Sequence, residues 1–176
     1  MKEAEPRLVE ALKFAIQMEI DGKIFYTQAG EQSTNPVGKE LFAWLAKQED
    51  HHRLTFEKIF KAIADKQGWP AEHIKPDKGV KLGTIFGEAI KAAGNNIKSK
   101  KDEVEAAARA MEMEIKSRDY YKKQAELASS DEEKKFFTAI SAEEQGHYLG
   151  LIDYKEYITD PVDWFTRTEH HLLDGA

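Results

Sequence analysis

The sequence predicts an all-α protein, a four-helix bundle of two duplicated helical hairpins joined by a long crossover. Three observations predict it. Apolar residues recur at spacings of three and four through four separate stretches, as in helices that bury one stripe. Helix breakers at Ser33-Thr-Asn-Pro36 and Ser129-Ser130-Asp131 divide these stretches into two pairs. The two halves also repeat with an offset of 95 residues: Ala15 matches Ala110, Met18-Glu19-Ile20 matches Met113-Glu114-Ile115, Gly22 faces Ser117, Tyr26 matches Tyr121, Lys39 matches Lys134 and Phe42 matches Phe137. Glu49-x-x-His52 maps onto Glu144-x-x-His147 by the same offset.

A chain of 176 residues, 41% hydrophobic and 33% charged with five prolines, suffices for one domain with a real core. The bundle is expected over residues 1–160, with a crossover at about 66–101 and a C-terminal tail over 161–176 that docks on it. A net charge of −6 argues against a nucleic-acid partner. Cysteine is absent, which excludes disulfides, thiolate-held zinc and iron–sulfur centres, so any metal must be held by carboxylate and imidazole. Neither an apolar leader nor a stretch approaching the roughly 20 apolar residues of a membrane span is present, so no membrane contact and a cytoplasmic location are expected.

Pro6 suits the first turn of the first helix, whose inward stripe is Leu8, Leu12, Ala15, Glu19, Gly22 and Tyr26. The second helix turns Leu41, Leu45, Glu49, His52, Phe56, Ile59 and Ile63 inward and stops near Gly68-Trp69-Pro70. Asp50 and His51 fall off that stripe and read as a solvated pair. The crossover has room for one short amphipathic helix over 85–93, which covers apolar surface or serves as a dimer contact or exchanged element. The third helix starts after Ser99-Lys-Lys-Asp102 and aligns Ala107, Met111, Glu114, Arg118 and Tyr121, with Met111 and Met113 as packing residues. Asp131-Glu132-Glu133 places negative charge at the start of the fourth, whose stripe is Phe137, Ile140, Glu144, His147, Leu151, Tyr154 and Ile158. After Asp160-Pro161 the helical period ends, and Trp164, Phe165, His170 and His171 fall in the tail.

The acids and imidazoles on these stripes carry the functional argument. Residues i and i+3 share a helix face, so each Glu-x-x-His aims a carboxylate and an imidazole at one point. A single such pair occurs by chance in many helices. Here both lie within apolar stripes, where an unpaired carboxylate is costly. The midpoint of Glu19 and Glu49 falls at residue 34 and that of Glu114 and Glu144 at residue 129, each inside a turn. An antiparallel hairpin therefore levels each lone Glu with its own Glu-x-x-His, about 15 residues or ~22 Å from the turn. A pseudo-twofold between the hairpins then gathers Glu19, Glu49, His52, Glu114, Glu144 and His147 at mid-bundle. Two divalent metals neutralise four carboxylates, and mixed oxygen and nitrogen donors suit iron or manganese.

These six residues resemble the ligand set of the ferritin-like di-iron carboxylate proteins. Within that superfamily the chain most resembles the rubrerythrins, over roughly residues 5–160, including Glu19-x-x-Gly22-x-x-Phe25-Tyr26 and its counterpart Glu114 through Tyr121. Trp164-Phe165 and Leu173-Asp-Gly175 are similar to the endings of short rubrerythrin-like proteins. The resemblance implies two irons, with manganese or a mixed pair as alternatives, and reduction of hydrogen peroxide or dioxygen. It implies Glu49 and Glu144 as bridges, Glu19 and Glu114 as terminal ligands, His52 and His147 as one cap per metal, and Tyr26 and Tyr121 as catalytic tyrosines bonded to the carboxylate shell, unless they are ordinary interior tyrosines. Two departures matter. Typical rubrerythrins append a cysteine-rich rubredoxin domain, which this sequence lacks, so a separate electron donor such as a rubredoxin-type protein is expected. They also carry an extra Glu where this chain has Ser117, and the mirrored Gly22 offers no ligand and leaves room. Iron oxidation and storage is the alternative function, and a homodimer is expected through the loose crossover.

Overall fold

The computed structural model describes residues 6–70 and 101–173. Those residues form five helices: α1 (Pro6–Gln32), α2 (Pro36–Ala64), α3 (Lys101–Glu126), α4 (Asp131–Thr159) and α5 (Pro161–Leu173). Asn35 caps α2, its side chain accepting from Val37 N at 2.9 Å, while Pro36 supplies a first-turn φ without needing a hydrogen-bond partner. Past Ala64 the chain turns through Lys66 and Gly68, both at positive φ. α3 is already helical at Lys101, and Ser130 caps α4 by accepting from Glu133 N at 3.2 Å. The short helix expected at 85–93 lies outside the described residues.

α1 packs along α2 and α3 along α4, and the hairpins meet where α1 faces α3 and α2 faces α4. This is the four-helix bundle of paired hairpins that the repeat predicts. Its core is divided in two. Tyr26, Leu41, Phe42, Leu45, Leu151 and Tyr154 fill one end. The other end holds Leu12, Phe56, Ile59, Tyr121, Phe137 and Ile140. On every helix of the bundle the predicted acids and imidazoles fall between these clusters.

Each end is pinned by a buried carboxylate. Glu103 of α3 accepts from Thr34 N at 2.6 Å, Asn35 N at 2.9 Å and Ser33 Oγ at 3.0 Å, clamping the α1–α2 turn. Glu133 accepts from Ser129 N at 3.0 Å and from Arg7 of α1, clamping the α3–α4 turn. Ile63 and Trp69 pack at the end opposite to Glu103, so the chain leaves one end of the bundle near Pro70 and re-enters at the other at Lys101. α2 and α3 thus run parallel.

The expected end of helical structure at Asp160-Pro161 is corrected by α5. Proline lacks the N–H that would extend α4, but its fixed φ suits a new first turn. Asp160 breaks away at φ −140° and accepts from Asp163 N at 3.0 Å, capping the helix that follows. Trp164 is buried edge-on to Tyr157 at 5.5 Å and donates from Nε1 to Asp153 Oδ1 at 3.2 Å. The side chains of His170 and His171 lie outside the described part. No helix among the described residues is long and apolar enough to cross a membrane.

Candidate metal centre

All six residues of the predicted set are buried at mid-bundle. Glu49, Glu114, Glu144 and His147 bring candidate ligand atoms within 4.8 Å of one another, and Glu19, Glu49 and His52 form a second such group. Glu49 belongs to both. Glu144 also faces both sides, since its Oε1 is 3.3 Å from His52 Nδ1 and its Oε2 is 3.1 Å from His147 Nδ1. The lone acids each face one side, with Glu19 Oε2 3.4 Å from His52 Nδ1 and Glu114 Oε2 3.6 Å from His147 Nδ1. Asp50 and His51 stay outside the cluster. His51 is exposed, and Asp50 pairs with Lys23 at 2.9 Å and Arg53 at 3.0 Å rather than with its histidine neighbour.

The two tyrosines cross between hairpins. Tyr26 donates to Glu114 Oε1, and Tyr121 donates to Glu19 Oε1. Each hydroxyl engages one oxygen of a lone acid, and the other oxygen faces the imidazole. Both rings are held alike, Tyr26 stacking on Phe42 at 6.2 Å and 21° and Tyr121 on Phe137 at 6.2 Å and 22°. The two halves are related by the pseudo-twofold down to ring geometry.

Burial raises the carboxyl of Glu49, and the neighbouring Glu19 and Glu144 raise it further. Burial, then the charge of Glu144, carries Glu114 up to about 8. For Glu144 burial acts in the same sense, but the neighbouring rings of His147 and His52 outweigh it and hold its carboxyl well below the usual range. Burial disfavours the charged form of His147, yet Glu114 and Glu144 carry the ring up to about 10, and Glu19 and Glu143 likewise raise His52. Burial, then the neighbouring acids, raises both tyrosines, so each hydroxyl keeps its proton at neutral pH.

Among the described residues four buried atoms of this cluster have no hydrogen-bond partner: Glu19 Oε2, Glu49 Oε1, His52 Nδ1 and Glu144 Oε1. Orphaned buried polar atoms are costly in a folded chain. They belong to the faces that the two groups turn inward, and oxygen with imidazole nitrogen is a donor set that divalent iron or manganese satisfies. The residues present therefore fit a pair of metals.

The sequence model of the rubrerythrin family matches residues 10–152, most of the chain and both hairpins. The chain belongs to the rubrerythrin family. No match was found among curated proteins or among solved structures. In this rubrerythrin-family chain the expectation that Gly22 leaves room is corrected: a Cβ built there would stand 2.5 Å from Glu49 Oε2, so the glycine's space is filled by that carboxylate. Ser117, its mirror, is half-buried.

Sequence reasoning missed two residues at the centre. Glu143 Oε2 lies 2.5 Å from His52 Nε2, and Trp44 stands edge-on to the His147 ring at 5.3 Å. Glu143 lies just off the stripe that carries Glu144, where spacing alone reads as solvent-facing. The signal available was its match with polar Gln48 under the 95-residue offset.

Proposed function

We propose that this protein is a non-haem di-iron oxidoreductase that reduces hydrogen peroxide, or dioxygen, at a carboxylate-bridged pair of metals. The observation that carries the reading is the set of four buried, unpartnered donor atoms between two groups that share Glu49. Glu49 and Glu144 would serve both ions, Glu19 and His52 would hold one, and Glu114 and His147 would hold the other. When bound, the metals supply electrons to an O–O bond and stabilise the charge that develops on its oxygens. The chain's own part is positioning. Tyr26 and Tyr121 occupy the outer oxygens of Glu114 and Glu19, which turns the free oxygens inward. Their hydroxyls hold protons beside the acids, and the apolar clusters at both ends keep bulk water away.

Iron is the expected metal, and manganese or a mixed pair is served by the same donors. The proposed source of electrons is a separate donor such as a rubredoxin-type protein. The reading also carries a cytoplasmic location and a homodimer, the latter tested by light scattering. The decisive experiment begins with metal analysis of protein purified without chelators. The anaerobically reduced di-iron form is then mixed in a stopped-flow instrument with peroxide and, in parallel, with air-saturated buffer. About two transition metals per chain and rapid oxidation by peroxide support the reading. Ferric mineral accumulating in a closed shell would transfer it to iron storage.

A further inference from the structure

We propose that Glu143 is a positioning residue that makes the two metal positions unequal, so that the position of Glu19 and His52 fills first and binds more tightly than that of Glu114 and His147. This rests on the di-metal reading above. His52 is fully buried, Glu143 nearly so, and the His52 Nε2 to Glu143 Oε2 distance is 2.5 Å. With its Nε2 proton donated to a carboxylate, the ring binds a metal through Nδ1, the atom that has no partner among the described residues and faces Glu19 Oε2 at 3.4 Å and Glu144 Oε1 at 3.3 Å. A carboxylate behind an imidazole settles the tautomer, locks the ring plane and makes the ligand nitrogen more basic.

The other half has no such device. The 95-residue offset carries Glu143 onto Gln48, a neutral amide. Among the described residues His147 Nε2 has no hydrogen-bond partner, and its ring is instead met by the edge of Trp44, at 5.3 Å and 88°. An aromatic neighbour orients a ring but neither chooses its tautomer nor adds charge behind it. The lone acids and the tyrosines are matched pairwise across the site, and this contact is not.

The test is anaerobic titration of the metal-free full chain with cobalt(II), followed by its d–d absorption, by calorimetry and by proton NMR. The wild-type chain is expected to bind two ions in steps separated by at least about tenfold. At one equivalent, hyperfine-shifted imidazole signals should come predominantly from His52, assigned against a His147→Gln chain. Glu143→Gln keeps the shape and removes the charge, and it should weaken the first step by about 10–100-fold while moving the second by less than about threefold. Equal weakening of both steps, or no change in either, would overturn the proposal. Should that variant not fold, the wild-type spectrum at one equivalent decides alone, since equally intense His52 and His147 signals overturn it. A wild-type chain that takes up no cobalt overturns the di-metal reading as well, whereas two ions bound with equal affinity overturn this inference and leave that reading standing.

Discussion

Removing metal from the centre should leave a protein that loses stability as pH rises from mildly acidic to neutral, the reverse of most acid-sensitive proteins. Glu114 titrates at about 8 in the folded chain against 4.5 for an ordinary glutamate, so between those values the folded state holds a proton that the unfolded state has released. A proton bound more tightly by the folded form makes stability fall with pH, by about 1.4 kcal/mol per pH unit for one such group. His147, raised to about 10 from an ordinary 6.5, adds a loss of the same sign above pH 6.5, and Glu49 is displaced in the same direction as Glu114. The depressed carboxyl of Glu144 acts oppositely, but only below its ordinary value of 4.5, outside this window. Counting one excess proton from pH 5.5 to 7.5 gives a loss of about 3 kcal/mol, or roughly 6–12 °C in Tm for a chain of this size. Differential scanning calorimetry of chelator-stripped protein measures it. With metal bound the dependence should invert, because the ligands must shed those protons to bind and their competition weakens as pH rises. A metal-free Tm that is flat or rising from pH 5.5 to 7.5 would refute the crowding of the four acids.

Three further outcomes follow from the same geometry. Glu49→Ala or Glu144→Ala should empty both metal positions, whereas Glu19→Ala or Glu114→Ala should weaken mainly one; elemental analysis after iron loading reads the difference, and equal losses in all four would remove the bridging roles. Gly22→Ala should raise intrinsic helix stability by up to about 1 kcal/mol yet displace the Glu49 carboxylate, whose Oε2 the new methyl would meet at 2.5 Å, so the metal-free Tm should hold or rise while metal affinity drops; unchanged affinity would show that Glu49 has another place to go. Ser117→Glu should supply an alternative carboxylate one turn after Glu114 and shift the ratio of peroxide to dioxygen oxidation rates toward peroxide in stopped-flow traces, and an unaltered ratio in fully metallated protein would clear that position of any control.

The part of the site that the sequence made legible is the part that follows from periodicity. Glu19, Glu49, His52, Glu114, Glu144 and His147 could be placed because each replaces an apolar residue on a stripe whose other members are buried, and because turn midpoints set their heights. What periodicity cannot give is direction across the bundle. Periodicity puts Tyr26 on the face of Glu19, seven residues nearer the turn, but does not say that its hydroxyl crosses to Glu114 of the other hairpin. Glu143 shows the same limit: one position along α4 rotates a side chain by about 100°, enough to leave the stripe and still reach α2. α5 was missed for a local reason, since proline after aspartate reads equally as a terminus and as a cap with a first turn, and the burial of Trp164 that favours the second is not visible in a short sequence window.

The crossed tyrosines also explain how two hairpins hold together around a polar midsection. Helix packing is extensive within each hairpin and sparse between them. Phe42 holds Tyr26 within the first hairpin and Phe137 holds Tyr121 within the second, while both hydroxyls are committed to acids of the opposite one. Burying a tyrosine hydroxyl or a carboxylate alone is unfavourable, so each hairpin is incomplete until it meets the other. The centre is therefore part of the hairpin interface itself, and ions bridged by Glu49 of the first hairpin and Glu144 of the second would link the two at the height where apolar packing is interrupted. The duplication supplies both halves of this arrangement, because the Tyr and Glu repeated at the 95-residue offset make the same contact twice, once in each direction between the hairpins.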